Sequence, residues 1–233
     1  MIAENIQHLR EKITAKCDDF KRNPQEVKLV AVSKFFGLDA INEANRLGIT
    51  DFGENKAQEL RDKYEILGDK ATWHFIGTLQ RNKVKYAVKA ATFIHSVDSS
   101  MLVDEVNNQA QKINKVQKIL LEVKTSSEDS KSGLTTDTEV LDLVKHCSTL
   151  SSIELVGLMT MAPFTDDVNI IRKSFVDLRN LRDKINQNGF DLRELSMGMT
   201  NDYEIAIEEG ATMLRIGSAI FGQRDTTKDW RKS

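Results

Sequence analysis

The feature that most constrains the fold of this chain is a regular alternation of short apolar segments with amphipathic helical ones. Eight apolar segments recur along the 233 residues, and each one after the first is reached through a predicted helix. The predicted strands are residues 27–34, 51–53, 73–76, 92–97, 116–123, 153–159, 194–197 and 212–216. The predicted helices are residues 2–21, 38–47, 55–67, 80–90, 99–114, 137–149, 167–188 and 201–209. This alternation predicts a parallel α/β fold.

The number and spacing of the strands favour a closed barrel over an open sheet. No Pro- or Ser-rich linker divides the chain, and no G-x-G-x-x-G follows the first strand, which argues against a dinucleotide-binding sheet. We therefore predict a single (β/α)8 TIM barrel over residues 1–233, with an extra N-terminal helix. In such barrels the functional residues gather at the C-terminal ends of the strands.

Composition excludes several classes of partner. The net charge is −2 and the apolar fraction is 40%, which gives no electrostatic case for nucleic acid or for an anionic membrane. No apolar stretch approaches the roughly 18 residues of a transmembrane helix. The two cysteines, Cys17 and Cys147, show no ligand spacing, which argues against a metal site and suits a reducing cytosol. The N-terminus lacks a secretory apolar region, so we expect a cytoplasmic protein.

The first predicted strand ends in a lysine. Residues 27–33 are mostly apolar and rich in β-branched valine, as expected of a strand buried on both faces, and Lys34 closes the run. Low-dielectric walls lower the pKa of an ammonium, and a neutral amine can attack an aldehyde to form a Schiff base. The simpler alternative is that Lys34 marks the strand end and reaches water.

The loops after strands 7 and 8 carry small and hydroxyl-bearing residues. In many barrels these two loops hold a phosphate group through backbone N–H groups. The first loop holds Ser196 and Thr200, and the second holds Gly217 and Ser218. Each loop alone is weak evidence, because Gly-Ser turns and Thr helix caps are common. Their joint position predicts a phosphate site.

Arg215 lies in the middle of an apolar strand, where a guanidinium is costly unless it is paired. It could pair with a carboxylate of a neighbouring strand, and Glu54 and Glu194 are available. Alternatively it faces a ligand acceptor such as a pyridine nitrogen. A Schiff-base lysine, a phosphate site and a cation at a ring nitrogen together match the requirements of pyridoxal 5′-phosphate.

Several motifs, in order, carry a resemblance to a known family. They are Leu29-Val-Ala-Val-Ser-Lys34, Phe52-Gly-Glu-Asn55, Trp73-His-Phe-Ile-Gly77, Ser130-Lys-Ser-Gly133, Gly157-Leu-Met159, Ser196-Met-Gly-Met199 and Arg215-Ile-Gly-Ser-Ala-Ile-Phe-Gly222. From about residue 5 to 222 the chain resembles the pyridoxal phosphate homeostasis protein family, single-domain barrels related to the N-terminal domain of alanine racemase. The resemblance implies a fold-type III pyridoxal phosphate barrel.

The resemblance also implies the roles of individual residues. Lys34 would form the internal aldimine, Asn55 would lie beside the ring, and Arg215 would meet the ring nitrogen. The residues implied around the phosphate are Ser196, Thr200, Gly217 and Ser218. The chain departs from the family at two places. Thr200 stands where serine is usual, and this change keeps the hydroxyl. Phe35 and Phe36 follow the lysine, and this pair either walls the pocket or packs at the start of the next helix.

Two functions from different classes remain open. In the first, the chain holds pyridoxal phosphate without turnover and supplies it to apo-enzymes that need it. In the second, it is an amino-acid racemase or a related enzyme, which needs a second base opposite the lysine. Alanine racemases take that base, a tyrosine, from an additional β-domain, which this sequence is not expected to have. Among the tyrosines of this chain, only Tyr203 is expected near the correct face of the barrel. A guanidinium at the ring nitrogen also disfavours ring protonation, so the binding protein is the favoured interpretation.

Two further expectations concern residues outside this constellation. His74, near the end of a strand, could act as an acid or base, but it is more often a hydrogen-bonded core residue. The polar loop 124–133 has almost no apolar anchor and is expected to be mobile over the pocket. Lys131 of this loop could close on the ligand, although a solvated lysine is the simpler interpretation.

Overall fold

The computed structural model describes residues 1–126, 132–223 and 230–232. Within these residues eight parallel strands close into one barrel, in which each strand pairs with the next along the chain and β8 pairs with β1. The strands are β1 Lys28–Val32, β2 Asp51–Glu54, β3 Thr72–Phe75, β4 Phe93–Val97, β5 Gln117–Glu122, β6 Ile153–Met159, β7 Glu194–Ser196 and β8 Met213–Ile216. The predicted (β/α)8 barrel is confirmed.

Helices surround the barrel and connect its strands. They are α1 Ile2–Asp19, α2 Leu38–Arg46, α3 Ala57–Leu67, α4 Val84–Ala90, α5 Ser100–Gln111, α6 Asp137–Ser148, α7 Val168–Gln187, α8 Tyr203–Glu208 and α9 Ser218–Phe221. The helix predicted over residues 80–90 is instead a 3₁₀ turn, Arg81–Lys83, followed by α4. The four-residue helix α9 was not predicted, because it is too short to show an apolar period.

The extra N-terminal helix is part of the core. Ile6, Leu9, Ile13 and Cys17 are buried and recur every three or four residues, so they form one face of α1. This face packs against α2, α8 and α9. Burial of each aliphatic side chain stabilises the fold by roughly 1.5–3 kcal/mol.

The end of the first strand sets the position of the lysine. The sequence predicted a strand to residue 34, whereas β1 ends at Val32 and the Ser33 N–H donates to the Gly53 carbonyl over 3.0 Å. Ser33 is completely buried, and Lys34, one residue beyond it, is half-buried at the C-terminal end of the barrel.

Candidate cofactor site

A cavity of about 560 Å³ opens at the C-terminal ends of the strands. Six of the seven residues that the sequence predicts for the site line it, namely Lys34, Asn55, Thr200, Arg215, Gly217 and Ser218. They follow or end β1, β2, β7 and β8, which lie far apart along the chain. The seventh, Ser196, is completely buried beneath Arg215 and is not part of the cavity lining.

The lysine is followed by two phenylalanines with different roles. Phe35 has a φ of 70°, in the left-handed region that is unusual for a bulky residue. Phe36 lines the cavity and stacks on Phe221, with ring centroids 4.9 Å apart. Phe36 therefore packs against α9 and forms a wall of the site, which is the first of the two alternatives considered for this pair.

Asn55 presents a buried acceptor at the cavity. Its Oδ1 has no hydrogen-bond partner among the residues that the structure describes. Its backbone is in close contact with Gly77, where an added Cβ would lie 2.3 Å from the Asn55 carbonyl oxygen. Because buried polar atoms are normally paired, this amide oxygen suits a ligand that carries a hydrogen-bond donor.

The loops after β7 and β8 meet at the opposite side of the cavity. The Ser218 hydroxyl donates to Thr200 Oγ1 over 3.1 Å. Gly217 lets the chain pass close to β1, because a Cβ there would lie 3.3 Å from the Val32 carbonyl oxygen. Two hydroxyls from different loops, beside a glycine, form a small polar surface of the type that binds an anion.

Arg215 is buried, with 5% of its surface exposed, and its guanidinium is fixed by two hydrogen bonds. Nη1 donates to Ser196 Oγ over 2.6 Å, and Nη2 donates to the Thr160 carbonyl over 2.8 Å. Burial lowers the pKa of Arg215 to about 10, against the attraction of Asp202 and Glu122. The guanidinium therefore stays charged at neutral pH.

The carboxylate partners suggested for Arg215 were wrong. Glu54 accepts hydrogen bonds from Lys63 and Ser33, because it points away from the barrel interior toward α3. Glu194 accepts from Thr212 Oγ1 over 2.5 Å. The strand-end position of both acids suggested a partner for Arg215, but the sequence does not show toward which neighbours their side chains point.

A hydrogen-bonded column of side chains runs beneath Arg215 through the barrel. Ser196 Oγ lies 2.9 Å from His95 Nδ1, His95 Nε2 lies 2.9 Å from His74 Nδ1, and His74 Nε2 lies 2.9 Å from Asp51 Oδ1. Burial lowers the pKa of His74, and lowers that of His95 further, with His74 and Arg215 adding to the effect. Both imidazoles are therefore neutral at physiological pH.

The donors in this column can be assigned from its ends. The Asp51 carboxylate only accepts, so His74 donates from Nε2 and its Nδ1 accepts from His95 Nε2. His95 Nδ1 then accepts from the Ser196 hydroxyl, whose oxygen accepts from Arg215. His74 is thus the hydrogen-bonded core residue that the sequence favoured. His95 was missed, although a second histidine inside an apolar strand was the available signal.

The tyrosines considered from the sequence are not among the residues that line the cavity. Tyr203 is buried, and its hydroxyl donates to Glu204 Oε1 over 3.3 Å. Tyr64 and Tyr86 belong to α3 and α4. Lys131 lies outside the described residues, as do residues 127–130 of the loop that was expected to be mobile. Its two ends are anchored by the Lys124 N–H, which donates to the Leu134 carbonyl over 2.9 Å.

Among residues 1–126, 132–223 and 230–232, no cluster of three histidine, cysteine or acidic side chains is placed to hold a metal ion. In the same ranges, none of the helices has the length and apolar character needed to cross a membrane.

The fold and the lysine-bearing cavity define a barrel of the alanine racemase N-terminal domain class. The model of that family, "Alanine racemase, N-terminal domain", matches residues 2–225. An alanine racemase from Clostridium difficile shares the fold, with a TM-score of 0.74 at 15% identity, over 96% of this chain and 58% of that one.

Within this class the chain belongs to the pyridoxal phosphate homeostasis protein family, as the resemblance predicted. It is 39% identical over 223 residues to the pyridoxal phosphate homeostasis protein of Aquifex aeolicus, covering 95% of this chain and 97% of that protein. It is 37% identical to that of Pasteurella multocida, over 97% and 99% of the two chains. PipY of Synechococcus elongatus, solved with PLP bound, is 34% identical, with a TM-score of 0.84 over 95% of this chain and 100% of that one.

Proposed function

We propose that this chain binds pyridoxal 5′-phosphate through Lys34 and acts in cytoplasmic pyridoxal phosphate homeostasis, as a single barrel domain over residues 1–233. The observation that carries the proposal is the meeting, in one cavity, of Lys34, Arg215 and the Thr200–Ser218 hydroxyl pair. A lysine amine, a charged guanidinium and an anion-binding surface are the three groups that this cofactor needs from its protein.

The residues of the cavity fit the cofactor group by group. Pyridoxal phosphate supplies an aldehyde, a phosphate group, a phenolic hydroxyl and a pyridine nitrogen. Lys34 would hold the aldehyde carbon, while Thr200, Gly217 and Ser218 would hold the phosphate. Arg215 would meet the ring nitrogen, and the buried Oδ1 of Asn55 could accept a hydrogen bond from a ligand hydroxyl. Ser196, which the resemblance implied at the phosphate, would act on the ligand through Arg215, because its hydroxyl already joins Arg215 to His95.

We further propose that the chain holds and releases the cofactor without turning over amino acids. A racemase needs a base on each side of the substrate carbon. In the described part of the chain no tyrosine lines the cavity, and burial raises the pKa of Tyr203 to about 12. A charged guanidinium at the ring nitrogen opposes ring protonation, so the ring is a poor electron sink.

The proposed cellular role is to supply apo-enzymes that need pyridoxal phosphate. The curated relatives carry the name of pyridoxal phosphate homeostasis proteins, which supports this role. The free, buried thiols of Cys17 and Cys147 support a reducing compartment such as the cytoplasm.

A transfer assay tests this role. Wild-type protein is loaded with pyridoxal phosphate, freed of unbound cofactor by gel filtration, and mixed with an apo-aminotransferase. Recovery of aminotransferase activity at a rate set by release from this protein supports the role. Cofactor that stays on the protein while the apo-enzyme remains inactive would contradict it.

A further inference from the structure

A buried ionic cluster lies between the barrel and α3, outside the cavity. Lys63 of α3 has no exposed surface, and its ammonium donates three hydrogen bonds. The acceptors are Glu54 Oε1 at 2.7 Å, Glu59 Oε1 at 2.8 Å and the Ser33 carbonyl at 2.9 Å. All three N–H groups of the ammonium are therefore used. We call Glu54, Glu59 and Lys63 the α3 triad.

The α3 triad holds the peptide groups on both sides of Lys34. The Ser33 carbonyl belongs to the peptide group before Lys34, and Lys63 donates to it. The Phe35 N–H belongs to the peptide group after Lys34, and it donates to Glu59 Oε1 over 2.9 Å. These two peptide planes fix φ and ψ of Lys34, so one buried cluster sets the direction in which its side chain leaves the backbone.

The triad also supports an unfavourable backbone conformation. Phe35 has a φ of 70°, and this left-handed conformation is unfavourable for a residue with a Cβ. The hydrogen bond from its N–H to Glu59 and the contact of its ring with Lys56 Nζ, 4.9 Å from the centroid, oppose that cost. Strained residues that persist beside a cavity are often part of how a site works.

Stability alone does not explain a buried ionic cluster at this position. Removing charges from water is costly, and well-packed apolar residues often stabilise a core as well or better. Here two carboxylates share one ammonium, and the second oxygen of Glu54, Oε2, is buried without a hydrogen-bond partner among the described residues. Burial raises the pKa of Glu54 to about 7, with Lys63 opposing and Glu59 adding to the effect.

The C-terminal residues that the structure describes close the triad from the outside. The ring centroid of Trp230 lies 5.1 Å from Lys63 Nζ, and Trp230 is 9% exposed. Arg231 donates to Asp62 of the same helix over 2.5 Å. The triad is thus enclosed by β1, β2, α3 and the C-terminal segment.

We propose that Lys63, with Glu54 and Glu59, is a positioning residue for Lys34, and that it sets the reactivity of the Lys34 amine by fixing both adjacent peptide groups. This proposal rests on the proposed function, because it takes Lys34 as the amine that reacts with the aldehyde. It assigns no contact between the triad and the cofactor.

The test measures Lys34 itself in the cofactor-free protein. Pyridoxal, which lacks the phosphate, is added with cyanoborohydride, and the labelling rate of Lys34 is followed by peptide mass mapping from pH 6 to pH 10. In Lys63→Met the rate should fall about tenfold or more, as expected for loss of a buried charged hydrogen bond. Its pH profile should also shift. Lys89→Met is the matched control, because Lys89 of α4 forms an exposed ion pair with Glu65 of α3, and this variant should label like wild type.

A second pair of variants covers the case in which Lys63→Met does not fold. Glu59→Gln keeps an oxygen that can accept from Phe35 N–H, whereas Glu59→Met removes it. Lys34 should be labelled within about threefold of the wild-type rate in Glu59→Gln, and about tenfold more slowly than wild type in Glu59→Met.

The failures of the two proposals are distinguishable. Folded Lys63→Met or Glu59→Met protein that labels at the wild-type rate, with an unchanged pH profile, would overturn the positioning role. Wild-type protein in which Lys34 does not react at all would overturn the proposed function, and the positioning role with it.

Discussion

Arg215 and Ser196 are joined by a hydrogen bond of 2.6 Å, in which the guanidinium donates to the serine hydroxyl. Since the same hydroxyl donates to His95, Ser196 is the link between the cavity and the histidine column. The column ends at the half-buried Asp51 carboxylate, so an anion lies at the far end of a chain of hydrogen bonds that begins at Arg215. This arrangement orients the guanidinium before any ligand arrives.

Replacing Arg215 tests its role toward the ligand. In Arg215→Ala the dissociation constant for pyridoxal phosphate should rise about 10–100-fold, since hydrogen bonds to charged groups are worth about 1.5–3 kcal/mol. Equilibrium dialysis of folded protein measures it, with the exposed Arg193→Ala as a control. An unchanged dissociation constant in folded Arg215→Ala would show that the guanidinium is purely structural.

The buried histidines predict a loss of stability in acid. Because burial lowers the pKa of His95 in the folded state, the unfolded chain binds more protons below its ordinary pKa of 6.5. The free energy of unfolding should therefore fall as the pH decreases below about 6.5. Urea unfolding between pH 5 and pH 7.5 measures this dependence.

The contribution of His95 is isolated with a variant. His95→Phe should be less stable at pH 7.5, because Ser196 and His74 lose a partner, but its stability should depend less on pH. His8→Gln changes an exposed histidine and should keep the wild-type pH dependence. An equally steep acid dependence in His95→Phe would mean that this histidine is not neutral in the folded protein.

The raised pKa of Glu54 predicts the opposite pH dependence of stability over an overlapping pH range. Its pKa rises from 4.5 to about 7 on folding, so the folded state binds the additional proton between these values. This group therefore lowers the stability as the pH rises from about 4.5 to 7, by an amount on the order of 1–3 kcal/mol. In Glu54→Gln, stability relative to wild type should improve over that range. A constant difference between the two proteins from pH 4.5 to pH 7.5 would contradict the raised pKa.

The absence of turnover is tested by exchange at the substrate carbon. Loaded protein incubated with L- or D-alanine in deuterated water should show no steady incorporation of α-deuterium, because the described cavity lining provides no tyrosine base. Incorporation at enzyme-like rates, lost in Lys34→Ala, would place the chain among the enzymes of its class.

The barrel and much of the site were predictable because both follow from local patterns. Alternating strands and helices predict a parallel barrel, and a barrel places strand ends at one face. Lys34, Thr200, Gly217 and Ser218 could therefore be predicted to meet without knowing any contact.

The roles of Ser196 and the α3 triad could not be predicted, because they depend on tertiary packing. Ser196 is close in sequence to Thr200, which lines the cavity, but its side chain points into the barrel and joins the hydrogen-bonded column of histidines. Glu59 and Lys63, four residues apart, look in sequence like an ordinary surface ion pair of a helix. Their burial becomes visible once α3 lies against the ends of β1 and β2.

The identity of the reacting lysine is the central claim. Loaded protein is reduced with borohydride, and peptide mass mapping should place the pyridoxyl group on Lys34. Lys28→Ala, which removes a lysine of the same segment at the opposite end of β1, should keep the adduct, and Lys34→Ala should lose it together with the cofactor's characteristic absorbance. An adduct on another lysine in the wild-type protein, with Lys34 unmodified, would contradict the account.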